Sequence, residues 1–516
     1  MVALLAQLFG FSLACRGEIA LWTNHYSGPE EAFDLSVGVA ADSQGNIFVT
    51  GSSRDTNFIF NIVTVKYSAA GTPVWTNIFD GPSNQNDMAA RIVVSPSNEV
   101  YVAGASQYQG SSQDFVLIKY ANDGLPLWTN VYNNAADGDD NPTALAVDTQ
   151  GDIVVAGRST SAGGGYEYAT LKYQSDGTAL WTNTFLETYD GFAIGTDMAL
   201  DADGNVYVTG SSQNNGTFDA NFATIKYSPA GAALWTNYFR GAAAGFDNAR
   251  AIAVGDDASV YVTGSSEASS GSYEYATVKY SSSGTALWTN FFGASDNDVP
   301  SDIDVKGTNV CVTGQSVTDG ANIVTVRYSG SGVALWTNNF GGYPNGYDYT
   351  ASLKMDAQGN TFVTGLSSIV GSTYDIVLLK YSDSGEVQWT NRFAAGFFLS
   401  GDRAPSVALS GSDIVVAGWQ TRPQLGVDFI TVKYGMEPPS PPITFNTSDG
   451  SLGFTNGQFS FQLTGAAGQT VVIEASTNSV DWIPVMTNVF GAGPINFSDP
   501  ESSGLAARFY RARLVP

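Results

Sequence analysis

The sequence predicts an all-β chain folded as an eight-bladed β-propeller, followed by a small β-sandwich-like domain, and three recurrences carry that expectation. Trp-Thr-Asn occurs eight times, with its tryptophan at Trp22, Trp75, Trp128, Trp181, Trp235, Trp288, Trp336 and Trp389, 53 residues apart except for one interval of 54 and one of 48. A glycine closing a Val-Thr-Gly or Val-Ala-Gly run also occurs eight times, at Gly51, Gly104, Gly157, Gly210, Gly264, Gly314, Gly365 and Gly418. A basic-Tyr pair recurs from Lys66-Tyr67 to Lys433-Tyr434, with Arg327 once in the lysine's place.

Within each period the order is constant. An apolar run such as Ala251 to Val254 meets a turn, then come a run such as Val260 to Thr263, a variable connection, a run such as Ala276 to Tyr280, a second turn and the tryptophan strand. The turns are Asp-x-x-Gly-Asn (Asp42 to Asn46, Asp201 to Asn205) and a glycine ahead of the tryptophan strand (Gly177, Gly231), which suit tight hairpins. Four short antiparallel strands repeated every ~50 residues are a propeller blade.

Four segments follow in order. Residues 1–19 read as a secretory signal, an apolar stretch too short to span a bilayer, with no basic residue before Arg16. Cys15 follows Ser12-Leu13-Ala14, a poor lipidation site because Ser stands where Leu is wanted. Residues 20–435 form the propeller. The chain enters it on a lone tryptophan strand, Leu21 to Tyr26, and leaves it at Tyr434 with no such strand behind. The first strand is therefore expected to complete blade eight, hiding two edges that otherwise invite aggregation. Residues 436–442 (MEPPSPP) form a stiff proline-rich linker, and residues 443–516, with about five strand-like runs, form the small domain.

The units resemble the SBBP-type β-propeller repeats of secreted bacterial proteins, related in layout to NHL-type blades, through Ala199 to Gly210 (ALDADGNVYVTG), Phe222 to Tyr227 and Leu234 to Phe239. The resemblance covers residues 20 to 435. It implies a scaffold and secretion, and brings no catalytic residues. The C-terminal segment resembles the small immunoglobulin- or fibronectin-like domains of such proteins, which tether or bind.

Composition narrows the function. With 48 acidic against 22 basic residues the net charge is −26, which repels nucleic acid and anionic membranes. No stretch is long enough for a transmembrane helix. One histidine, His25, and two cysteines, Cys15 and Cys311, exclude Ser-His-Asp, Cys-His and His-rich zinc sites by inventory. Cys311 replaces an apolar residue within a strand and reads as a buried free thiol.

Seven aspartates, Asp34, Asp87, Asp140, Asp247, Asp298, Asp348 and Asp402, recur eight residues before the first turn, near the channel mouth. Blade four has Ala193 there. Such carboxylates suit Ca²⁺ or another hard cation, or each caps its own loop; recurrence in nearly every blade favours caps. No cofactor is required. Seven of the nine lysines occupy one blade position, read as ion pairing or stem packing between blades.

Binding is sought where blades differ. The two variable connections leave one face of the propeller and the two fixed hairpins leave the other. Arg54, Arg158, Arg403, Tyr108, Tyr343 and Trp419 are the candidate ligand-binding residues of the variable face, and Arg91 and Arg250 are read as sharing one register. The expectation is a secreted or cell-surface monomer, non-enzymatic, that binds a protein or polysaccharide. Two alternatives stay open: a glycan-active glycosidase or lyase using channel-mouth carboxylates, and a purely structural surface protein.

Overall fold

The computed structural model describes residues 20–515 apart from stretches confined to connections: 30–32, 109–111, 188–191, 214–218, 244, 270–271, 294–296, 318–320, 343–345, 370–372, 398–404, 423–425, 436–443, 447–451, 456–457, 466–467, 478–481, 492 and 503–507. The expected signal segment, 1–19, and linker, 436–442, lie outside the described residues. Two compact units are present, Met1–Met436 and Glu437–Pro516.

The first unit is an eight-bladed propeller of four-stranded antiparallel sheets. Blade one runs through Asp34–Ala41, Ile47–Arg54, Phe60–Tyr67 and Pro73–Phe79, from the innermost strand outward, and the later blades repeat that order. Blade eight takes three strands from the end of the unit, Ser406–Ser410, Asp413–Arg422 and Gly426–Gly435. Its outer strand is Ala20–Tyr26, paired antiparallel with Gly426–Gly435 so that Thr23 faces Val432 and His25 faces Ile430. Apolar packing between Ile47, Val49 and Val63 of blade one and Val415, Ala417 and Phe429 of blade eight closes the ring.

The repeated residues are the joints of this ring. In Trp-Thr-Asn, the indole N–H and the asparagine amide donate to two carbonyls in the outer hairpin of the next blade. Trp235 Nε1 reaches Ser282 O at 3.2 Å and Asn237 Nδ2 reaches Gly284 O at 2.7 Å. The same pair of bonds recurs from Trp22 and Asn24 to Ala69 and Gly71, at 3.1 and 2.6 Å, and from Trp336 and Asn338 to Asp383 and Gly385, at 3.1 and 2.8 Å. The repeated lysine donates to the carbonyl that the tryptophan uses: Lys226 Nζ lies 3.1 Å from Ser282 O and 4.9 Å from the Tyr207 ring centre. Seven of the eight Trp-Thr-Asn motifs thus bond their blade to its neighbour through polar groups whose partners lie in the next repeat; the exception among the described residues is Trp389 of blade seven.

Two glycines show why the sequence is fixed at these places. Gly231 turns the outer hairpin of blade four at φ +85°, and a Cβ there would come within 2.7 Å of Trp181 Cγ. Gly264, in the second strand of blade five, would bring a Cβ within 2.6 Å of Phe222 Cζ from blade four, so the absent side chain is what admits the neighbour's aromatic ring.

The second unit has two small sheets. One holds Thr444–Asn446, Gly453–Thr455, Gln458–Thr464 and Ile495–Asp499, and the other Thr470–Ser476, Ile483–Val489 and Phe509–Val515. Phe461, Leu463 and Phe497 of the first meet Val471 and Ile473 of the second in one core, the packing of a β-sandwich. No described helix is long and apolar enough to cross a membrane.

Candidate functional site

The aspartates expected near the channel mouth sit at the entrance of each innermost strand, and six of the seven are described. Asp34, Asp87, Asp140, Asp247, Asp298 and Asp348 are buried, while Asp402 lies outside the described residues. Asp34 accepts from the backbone N–H of Gly28 at 2.6 Å and from Ser53 Oγ at 2.6 Å. Asp140 does the same with Asn134 N–H and Ser159, at 3.0 and 2.6 Å, and Asp247 with Gly241 N–H and Ser266, both at 2.7 Å. These three carboxylates therefore staple the loop six residues before them to a serine nineteen residues after them, whereas the residue nineteen after Asp298 in blade six is Val317. A cation here would compete with those donors. The Asp-x-x-Gly-Asn turns are closed likewise, with Asp201 accepting from Asn205 N–H at 2.8 Å and Asn205 Nδ2 at 2.7 Å. Among the described residues no three His, Cys, Asp or Glu are grouped to hold a metal ion. Cys311 is fully buried, and burial pushes its thiol up to about 12.

The variable-face candidates are dispersed. Arg54 lies over Phe58, 4.8 Å from the ring centre, and donates to the Phe58 carbonyl at 3.3 Å. Arg158 stacks over Tyr166 at 4.7 Å, two blades away from Arg54. Tyr108 packs against the apolar cluster around Phe48 and Val102. Trp419, expected on the variable face as a ligand-binding residue, is 2% exposed, because it lies inside the second strand of blade eight with its indole in the core between blades seven and eight. Tyr343 and Arg403 lie outside the described residues.

The central channel holds a constellation that sequence reasoning passed over. A cavity of about 500 Å³ is lined by Arg91, Asp197, Arg250, Asp302 and Lys354 among apolar and hydroxyl residues of the innermost strands. Asp302 accepts from the backbone N–H groups of Ile303 and Leu353, at 2.8 and 2.7 Å, and from Ser352 Oγ at 3.2 Å. Asp304 takes Met355 N–H at 2.8 Å and Asp197 takes Ile252 N–H at 3.0 Å. These carboxylates reach across to the next blade and occupy donors on its unpaired inner edge.

Burial would lower the Lys354 pKa, but Asp302, Asp304 and Asp197 outweigh it and hold the ammonium above its usual range. Burial pushes Asp197 up to about 6, opposed by the Ile252 N–H and by Arg91. Asp114, buried near Asp140, is also pushed up to about 6 by burial.

Arg91 and Arg250 do not share a register. Arg91 pairs with Ala103, whereas Arg250 occupies the bulge between Ala249 and Ala251, one position earlier in its strand. The bulge recurs in most innermost strands and sets the two arginines one position apart, though both line the channel. The signal for the channel was nonetheless present. Lys354 is one of only two lysines outside the repeated position, and Asp197, Asp302 and Asp304 stand at registers where the remaining blades carry no acid.

A pH dependence follows from Asp114 and Asp197. The fold binds protons at these two groups between the ordinary value of 3.8 and about 6, where the unfolded chain has lost them. Their contribution to stability therefore rises as pH falls through 6 and levels off below about 4. Asp55, Asp176 and Asp257 are shifted downward, so they weaken the fold only at still lower pH. Thermal melts are expected to give a Tm a few degrees higher at pH 5 than at pH 7; a lower Tm at pH 5 would contradict this.

No protein-family model matches the chain, and no curated protein does. Among solved structures it is similar to the WD40 domain of SCAP from fission yeast, at 10% identity over 80% of this chain and 98% of that one, with a TM-score of 0.45. It is also similar to the β-propeller domain of the Trilobed protease from Pyrococcus furiosus, at 9% identity over 70% and 97%, TM-score 0.43. A third is the polysaccharide lyase Uly1, at 9% identity over 78% and 90%, TM-score 0.41. The chain is a β-propeller by its own strand order and closure, and no function passes to it from these structures.

Proposed function

We propose that the chain is an extracytoplasmic, non-enzymatic propeller scaffold that binds a protein or polysaccharide through its variable loop face. One observation carries this reading. The repeated Trp, Asn, Lys and Asp residues are engaged in joining blades and stapling loops, so the residues left for recognition are those that differ between blades, and they project with the variable connections. We further read the blades as SBBP-type repeats, on Ala199 to Gly210 and its counterparts, and the second unit as an immunoglobulin- or fibronectin-like tether. The apolar stretch at residues 1–19 supports export.

Screening the purified chain against immobilised glycans and secreted proteins tests this. Arg158→Ala, on the variable face, is expected to weaken a captured ligand, and Glu386→Ala, in a fixed hairpin on the other face, to leave it unchanged. The reverse pattern would sink the reading.

One observation favours a second reading, the glycan-active enzyme: Asp197, raised to about 6, lies beside Arg91 in the channel. Against it, Asp197 and Asp302 already accept the strand-edge donors described above. Product formation from a glycan captured in the same screen, lost in Asp197→Asn, would decide for the enzyme.

A further inference from the structure

The geometry points to a binding site for a carboxylate-bearing sugar or sugar-sized hydroxy acid at the variable-face mouth of the central channel, with Arg91 and Arg250 as its anion-recognising residues. This deepens the reading of the chain as a binding propeller and rests on it.

The mouth is a cavity of about 430 Å³ lined by Arg91, Pro142, Thr143, Ile194, Gly195, Thr196, Arg250, Val299, Pro300 and Ser301. Pro142, Val299 and Pro300 are among the first two residues of their innermost strands, which places the cavity at the end where the variable connections enter the channel. Its charge is opposite to that of the molecule. The chain carries −26 overall, yet the lining of this mouth contains two guanidinium groups and no carboxylate, Asp197 and Asp302 belonging to the adjoining channel cavity that both arginines also line.

Neither arginine is spent on an ion pair. Arg91 donates to its neighbour's carbonyl, Ala90 O, at 3.0 Å, and lies near enough to Asp197 to lower that group's pKa without forming a salt bridge among the described residues. Arg250 is exposed in the cavity and has neither a hydrogen bond nor a salt bridge among the described residues. In a protein so rich in acids, two unpaired arginines facing one cavity are a strong departure from what surface pairing alone would give. A guanidinium offers a planar fork that matches a carboxylate's two oxygens.

The rest of the lining fixes the body of the ligand. Pro142, Ile194, Val299 and Pro300 supply aliphatic surface for a C–H face, and Ser301 supplies a hydroxyl, while the lining has no aromatic side chain and no hole for a large apolar group. Thr143 and Thr196 are already committed, each bonding a carbonyl of the next blade, Gly195 O and Ala249 O, at 3.0 Å, so they hold the wall in place. A hydroxylated ring bearing one carboxylate fits this mixture better than a bulky hydrophobe or a neutral sugar.

Two sources have this chemistry, a free sugar acid and the uronate unit of an acidic polysaccharide. Titration calorimetry of the full chain with D-galacturonate, tetragalacturonate and the neutral tetragalactose separates them. The proposal expects at least one acid to bind about tenfold or more tighter than the neutral saccharide, and Arg250→Gln and Arg91→Gln each to weaken it by about tenfold, the worth of a charge-assisted hydrogen bond. Tighter binding of the tetramer assigns the site to a polymer, and equal binding per carboxylate assigns it to the free acid. Unchanged melting of both variants shows that the fold is intact. No binding of either acid, or binding that both variants retain, overturns the proposal. A neutral glycan or a protein captured on the loop face and unaffected by Arg250→Gln would overturn it while leaving the broader binding reading standing.

Discussion

Deleting Ala20–Tyr26 is expected to cost the propeller at least about 5 kcal/mol of stability and to make the chain aggregate. The strand supplies the fourth sheet position of blade eight, facing Phe429 to Val432 with Thr23, Asn24, His25 and Tyr26. Tyr26 packs on Phe429 with ring centres 5.2 Å apart and Trp22 on Tyr67 at 5.8 Å. Truncating one buried aromatic costs about 3–5 kcal/mol, and two half-buried ones together approach that sum. Trp22 and Asn24 also hold the outer hairpin of blade one through Ala69 and Gly71, so the deletion loosens two blades. It further exposes Gly426–Gly435 as a ten-residue edge whose backbone groups can pair with another chain. Thermal melts and light scattering on the shortened chain check both effects. A monomer melting within a few degrees of the parent would contradict the closure.

The second large effect is a contrast between two tryptophans of one motif. Trp235 stands between Tyr207 of its own blade and Tyr280 of the next, with ring centres at 5.9 and 6.1 Å, and donates to Ser282. Trp235→Ala is expected to cost about 3–5 kcal/mol, and Trp235→Phe, which keeps a ring but loses the N–H, about 1 kcal/mol. Trp389 differs because blade eight takes its outer strand from the start of the chain, so no hairpin joins its third strand to its fourth. Trp389 is 1% exposed, and its Nε1 and the Asn391 Nδ2 have no hydrogen-bond partner among the described residues. A buried donor without an acceptor carries its full desolvation cost. Trp389→Phe is therefore expected to leave stability unchanged or to raise it slightly. Denaturant titrations of the three variants decide the point, and an equal loss in Trp235→Phe and Trp389→Phe would refute the joint as described.

What was legible in the sequence is what repeats. Each blade must solve the same packing problem, so Trp-Thr-Asn, the strand glycine and the aspartate at the entrance of the innermost strand appear eight times or nearly so, and the position of the first tryptophan strand gave away the closure. The role of the asparagine as a second joint was hidden, since its acceptor, Gly284 for Asn237, lies in the next repeat rather than nearby. The channel was hidden for the opposite reason. Asp197, Asp302 and Lys354 come from blades four, six and seven and become neighbours only when the ring closes. Trp419 misled because the position after the repeated glycine lies inside the second strand of its blade, as it does for the buried Leu366 of blade seven, so the side chain packs in the core. Arg91 and Arg250 misled because a bulge, invisible in the spacing, sets one of them a position apart.

The closed ring underlies both the face assigned to binding and the cavity at its centre, and one engineered bond tests it directly. Thr23→Cys and Val432→Cys, placed in a chain carrying Cys15→Ser, put two thiols on directly facing residues of the first and last strands, while Cys311 stays buried. Oxidation is expected to give an intramolecular disulfide in a monomer, with a higher Tm that reduction reverses. Failure to cross-link, or cross-linking only between two molecules, would show that the first strand does not complete blade eight of its own chain.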